Sequence, residues 1–248
     1  LVVNALDRQY ATPEYIADTY EQSNLVNVIR LKSNRAVYEQ LNEQQVQARR
    51  AANADNRGTN AIYGKKYKLN EVDKWDMEGQ DAPHQTQEFG VQMGNGRKVV
   101  LRICCWKNRL IRTKRGKSMK DKPFDLLSVQ VLDAQTHAPI YKRRMWLGVW
   151  GKRKDELELE QVYWAYRLRF DEEHSFRFCK QNLLMDSFQT PDLEHLDNWI
   201  EIVHLAYWLL WIARQECTTF GGLYKWQQYD PNYLKRCEFQ LNPTPAQV

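Results

Sequence analysis

Tyr166, Arg169, Glu173 and Lys180 stand at offsets 0, 3, 7 and 14 in a stretch whose pattern is helical. At roughly 100° per residue these offsets fall at about 0°, −60°, −20° and −40°, one stripe about 60° wide and roughly 21 Å long. Arg177, at offset 11, lands at about +20°, on the edge of the same stripe. One carboxylate therefore sits among cations on a line. Spacing alone leaves two readings open. The first is a salt-bridged helix face, worth about 0.2–0.5 kcal/mol per pair. The second is a metal-binding carboxylate flanked by groups that hold phosphates. Two-metal phosphodiester chemistry sets its ions about 3.5–4 Å apart and needs carboxylates to bridge and cap them. Asp7 is a second candidate ligand. It closes the apolar run Leu1 to Leu6, the pattern of a buried strand, and α/β folds place their chemistry at the carboxyl ends of strands.

The elements that must position these groups follow from local signals. Thr12 is a helix N-cap with Pro13 at the first helical position, and the helix is expected to reach about Gln22. Leu25 to Leu31 reads as a second strand, completing a right-handed, parallel β-α-β unit. Apolar density then falls from Lys32 to about Gly96. Val99 to Trp106, Phe124 to Leu132 and Met145 to Trp150 are β-rich and read as an antiparallel insertion. The pattern is helical from Glu156 to about Met185. Pro191 breaks it, and Leu193 to Cys217 reads as an apolar helix packed in the core. The tail from Gly221 ends in coil.

The 248 residues carry 43% hydrophobic side chains, which excludes wholesale disorder. The longest apolar stretch, Ile202 to Ala213, is well short of the roughly 20 residues that span a bilayer. Five cysteines without a C-x-x-C pair fit packed thiols rather than a disulfide framework or a zinc site. Net charge is only +5, yet Arg97 to Lys122 sets eleven cations, Lys114 and Arg115 among them, against the single acid Asp121. A stretch so poor in acids reads as a phosphate-backbone surface. Gly94-x-Gly96 is a turn before a strand, and His174 points about 100° away from Glu173.

The string Tyr166-x2-Arg169-x3-Glu173-x6-Lys180, set in YRLRFDEEHSFRFCKQNLLMDSFQTPD, resembles the Y-R-E-K signature of bacterial insertion-sequence transposases of the DDE type. The opening LDRQYATPEY resembles the segment around that family's second catalytic Asp, and LVNVIRLKSNRAVYEQ its next strand. The resemblance implies an α/β, RNase H-like mixed sheet with flanking helices, interrupted by a β-rich insertion. It implies Mg²⁺ or Mn²⁺ held by Asp7 and Glu173, with water and later a 3′-hydroxyl attacking DNA phosphodiesters. Tyr166, Arg169 and Lys180, with Arg177 beside them, would contact phosphates of the transposon end. Trp146 and Trp150 become candidates for stacking on a flipped base, against the alternative that both pack in the insertion. The implied partners are double-stranded DNA, as transposon ends and target, and a second copy in a synaptic complex. No membrane is implied, and the location would be the bacterial cytoplasm, on DNA.

The implied organisation divides the chain into 1–31, the β-α-β part of the core with the second catalytic Asp; 32–155, the basic insertion; 156–217, core helices with the catalytic Glu; and 218–248, a C-terminal extension. The family's first catalytic Asp lies on an earlier strand. That strand is expected to be missing from a chain that starts six residues before Asp7, and the polypeptide alone is then expected not to cleave DNA. An inactive DNA-binding remnant of a transposase is the rival reading, and a nuclease of the same fold is a third.

Overall fold

The computed structural model describes residues 1–52, 59–93, 97–113 and 117–217. The 218–248 extension, the turn at Gly94-x-Gly96, and Lys114 and Arg115 lie outside the described residues. The chain forms two compact units, Leu1–Val91 with Lys98–Arg169, and Gln92–Arg97 with Phe170–Val248.

The first unit opens with β1 (Val2–Leu6), α1 (Pro13–Thr19) and β2 (Leu25–Arg30). The two strands are parallel, with register running from Val2 opposite Leu25 to Leu6 opposite Ile29. Thr12 caps α1 as its sequence demands, its Oγ1 accepting the Tyr15 amide at 3.3 Å. Replacing Thr12 with Ala should therefore cost about 1 kcal/mol, read as a lower urea midpoint at unchanged slope. The helix stops at Thr19, short of Gln22, and the side chains there give a reason. The Thr19 hydroxyl donates to the Tyr15 carbonyl at 2.9 Å and accepts from Asn27 Nδ2 at 2.9 Å. The last turn is thereby fastened to a buried residue of β2.

Further along come β3 (Ala36–Gln40), α2 (Glu43–Ala52), β4 (Tyr63–Lys68), β5 (Gln85–Gln92), β6 (Lys98–Leu110), β7 (Phe124–Asp133) and β8 (Met145–Trp150). One eight-stranded sheet joins them all, in the order β1-β2-β8-β7-β6-β3-β4, with β5 paired to β6. The antiparallel arrangement of β6, β7 and β8 matches the sequence reading. The architecture is α/β with a mixed sheet and flanking helices, an RNase H-like fold. The 32–155 stretch supplies strands to the same sheet as 1–31, because β8 lies directly against β2 with Arg30 opposite Leu147. A strand as uniformly apolar as MWLGVW belongs where both faces are covered.

Trp106, Trp146, Trp150, Phe124, Ile16 and Ile29 are among the residues that form the core. Trp150 stacks on Phe124 with centroids 4.3 Å apart. Gly148 makes this possible, because a Cβ there would collide with the Trp150 ring. Trp146 packs in turn against Trp75 and Trp106 at 5.6 and 5.9 Å.

α3 (Leu159–Asn182) runs unbroken through the boundary between the units, which falls after Arg169. The second unit contains its last turns and α4 (Leu193–Cys217), which starts on an Asp192 cap accepting the Glu194 and His195 amides at 2.9 and 3.2 Å. Phe176 meets His204 and Phe178 meets Tyr207, at 6.0 and 5.7 Å. The expectation that α4 is a core helix is corrected. Val203 is buried, but Ile202, Leu205, Trp208, Leu209 and Ile212 are 58–65% exposed. Apolar composition alone gives such a helix no buried face, since burial needs a partner surface on each side.

Candidate active site

β1 ends at Leu6, and the chain turns at once. Asp7 keeps extended geometry (φ −75°, ψ 167°), then Arg8–Tyr10 form a single 3₁₀ turn, closed by the Tyr10 amide on the Asp7 carbonyl at 3.0 Å. Tyr10 packs edge-to-face on Tyr15 of α1 at 5.3 Å, and Asn4 Nδ2 of β1 donates to the Tyr15 hydroxyl at 2.9 Å. Strand, turn and helix are thereby fixed around a half-buried Asp7. The Asp7 carboxylate caps nothing, and among the described residues it has no hydrogen-bond or ion-pair partner. Beside it lies an open cleft of about 550 Å³ lined by Arg8, Gln9, Lys32, Ser33 and Asn34. Sequence reasoning passed over this lining. The signal available was position, since Lys32 to Asn34 follow the carboxyl end of β2 as Arg8 and Gln9 follow that of β1.

Tyr166, Arg169, Glu173, Arg177 and Lys180 all lie on α3, in different surroundings. In the first unit Tyr166 is fully buried, hydroxyl included, which corrects the expectation that it contacts phosphate; its ring supports the Arg169 guanidinium at 5.5 Å. Glu173, Arg177 and Lys180 belong to the second unit and are exposed. Asp7 thus belongs to one unit and Glu173 to the other.

The cations of the basic stretch are less available than their run in the sequence suggests. Arg102 pairs with Glu88, Lys117 with Asp18, Lys107 with Asp155 at 2.9 Å, and Lys122 with Glu21 at 3.2 Å. Hydrogen bonds from Lys152 and Lys122 hold the Glu21 carboxyl below its usual range. Arg109 is buried over the Tyr67 ring at 4.9 Å. The acids absent from the run arrive from other segments.

A family model for the transposase DDE domain matches residues 5–209. The chain belongs to the DDE transposase family. The matched region includes both Asp7 and Glu173. No curated protein matches the chain.

Within this transposase domain Trp146 and Trp150 are corrected from candidate base platforms to core residues. They are 3% and 0% exposed, and burial leaves neither a free ring face. The donors present suit a hard divalent cation, which takes carboxylate oxygens. Asp7 offers such oxygens without having to break an existing bond, while no group of three or more metal-binding side chains occurs among the described residues. Cys105 and Cys179 offer no thiolate ligand. Burial and then Asp125 push Cys105 up to about 12, and burial raises Cys179, so both remain protonated packing groups. No helix among the described residues is long and apolar enough to cross a membrane.

Proposed function

We propose that this domain performs metal-dependent cleavage and strand transfer at the DNA ends of a transposon. The observation that carries the reading is the uncommitted Asp7 carboxylate at the carboxyl end of β1, inside the span of the family match. Asp7 and Glu173 would hold Mg²⁺ or Mn²⁺. When bound, the ion supplies Lewis-acid activation of the phosphodiester and stabilises the attacking and leaving oxygens. The chain's own groups do the rest. Arg169, Arg177 and Lys180 hold backbone phosphates by charge-assisted hydrogen bonds. Tyr166 fixes Arg169 from below through its ring. Hydrolysis leaves a 3′-hydroxyl on the DNA, which then attacks a second phosphodiester and releases the strand it displaces.

Duplex binding measured against salt tests the DNA contacts. Lys180→Ala should weaken binding and reduce the slope of log affinity against log salt by about 0.9. A slope unchanged from wild type would remove Lys180 from the phosphate contacts. Supercoiled plasmid incubated with Mn²⁺ or Mg²⁺ and a polypeptide that also carries the family's first catalytic Asp tests the chemistry, and joined products separate transposition from simple nuclease action. A second reading, DNA binding without catalysis, needs only exposed cations such as Arg177 and Lys180. It predicts salt-sensitive binding that persists in chelator, with no nicking by either ion.

A further inference from the structure

The last paired residues of β1 and β2 are Leu6 and Ile29, so the two parallel strands run out side by side. Beyond them the chain turns twice. One turn is the 3₁₀ segment after Asp7, and the other is closed by the Arg35 amide on the Lys32 carbonyl at 3.0 Å. These turns enclose the cleft of about 550 Å³ lined by Arg8, Gln9, Lys32, Ser33 and Asn34. All five residues are exposed. Their side chains supply a guanidinium, an ammonium, two amides and a hydroxyl, a set rich in donors and without a carboxylate.

Neither cation is committed. Among the described residues Arg8 and Lys32 have no ion-pair partner, although Asp7 is the immediate neighbour of Arg8. Some exposed cations elsewhere on the first unit sit on carboxylates instead, Lys152 on Glu21 at 2.7 Å and Arg153 on Glu156 at 2.6 Å. Two unneutralised cations in one cleft, with neutral donors between them, are complementary to the oxygens of a phosphodiester. The cleft is open rather than enclosed, which suits an extended chain better than a buried small molecule.

We propose that this cleft is a clamp for the backbone phosphates of one DNA strand, with Arg8 and Lys32 as its phosphate-binding residues. The proposal rests on the reading of Asp7 as the metal-supported reaction centre. A strand held here has its phosphates beside Asp7, so the clamp selects which phosphodiester is presented to it.

The test is fluorescence anisotropy of the whole chain with a short labelled duplex over a range of salt. Arg8→Ala/Lys32→Ala should lower the log–log salt slope by about 1.8, at about 0.9 per phosphate contact. Arg8→Lys/Lys32→Arg should restore most of it. Lys74→Ala/Arg153→Ala, which removes two cations already paired with Glu71 and Glu156, should leave the slope unchanged. A scan of single methylphosphonate substitutions adds a readout that altered folding would not mimic. Wild type should lose affinity at one or two backbone positions, and those positions should become silent in the double alanine variant. An unchanged slope and an unchanged methylphosphonate pattern in that variant would overturn the clamp and leave the transposase reading intact. Salt-independent binding by wild type would overturn the DNA reading itself, and the clamp with it.

Discussion

Glu173→Gln, in a polypeptide that also carries the family's first catalytic Asp, is expected to lower metal-supported DNA cleavage by about 10³-fold or more while leaving duplex binding unchanged or slightly tighter. Gln matches Glu in shape and helix propensity, and Glu173 is exposed on α3. The substitution removes a charged oxygen ligand, and the several kcal/mol of charge stabilisation that a bound ion supplies corresponds to about a thousandfold in rate at 1.36 kcal/mol per decade. Binding should not suffer, because a negative charge near phosphates disappears. Glu172→Gln is the matched control. It points about 100° around the helix and should cut DNA at the wild-type rate. Cleavage surviving in Glu173→Gln would remove Glu173 from the reaction centre.

The largest expected effect on stability lies elsewhere in the first unit. Lys154 Nζ sits 2.7 Å from Asp125 Oδ1, and both side chains are 8% exposed. The same Oδ1 accepts the amide of Asn108 at 3.1 Å. Asn108 occupies the left-handed region (φ 54°) in an irregularity of the β6–β7 register, where the ladder cannot satisfy its N–H. Asp125→Ala therefore leaves a backbone donor unpaired and a buried ammonium with only the more distant Asp155 carboxylate, at 3.6 Å. The expected loss is about 3–5 kcal/mol, a fall in the thermal midpoint of roughly 6–20 °C. Asp125→Leu with Lys154→Met removes both charges and should recover most of it, because a buried pair gains little over apolar residues of similar volume. A single variant as stable as wild type would show that the pair is not buried in solution.

Local signals made the β-α-β unit legible. Thr12-Pro13 marked the start of α1, and Leu1–Leu6 and Leu25–Leu31 carried the density of covered strands. The continuity of α3 was equally legible, since its stripe needs one unbroken helix. What stayed hidden depended on segments far apart in the chain. Nothing near Lys117 or Lys122 announces Asp18 and Glu21, so the basic run looked like a bare phosphate surface. Trp146 and Trp150 read as either core or platform until β8 was seen in the middle of the sheet. Arg8 and Lys32 are unremarkable in sequence, and they share a cleft only because β1 and β2 end together.

The proposed function depends on a divalent ion held by Asp7 and Glu173. The most direct measurement replaces Mg²⁺ with Fe²⁺ and maps where locally generated hydroxyl radicals cut the polypeptide, a readout independent of DNA cleavage. The predicted result is a pair of cuts, one at the end of β1 around Asp7 and one on α3 around Glu173, both suppressed by excess Mg²⁺ and by Asp7→Asn. Cuts confined to other segments, or cuts at these two that persist in Asp7→Asn, would contradict it.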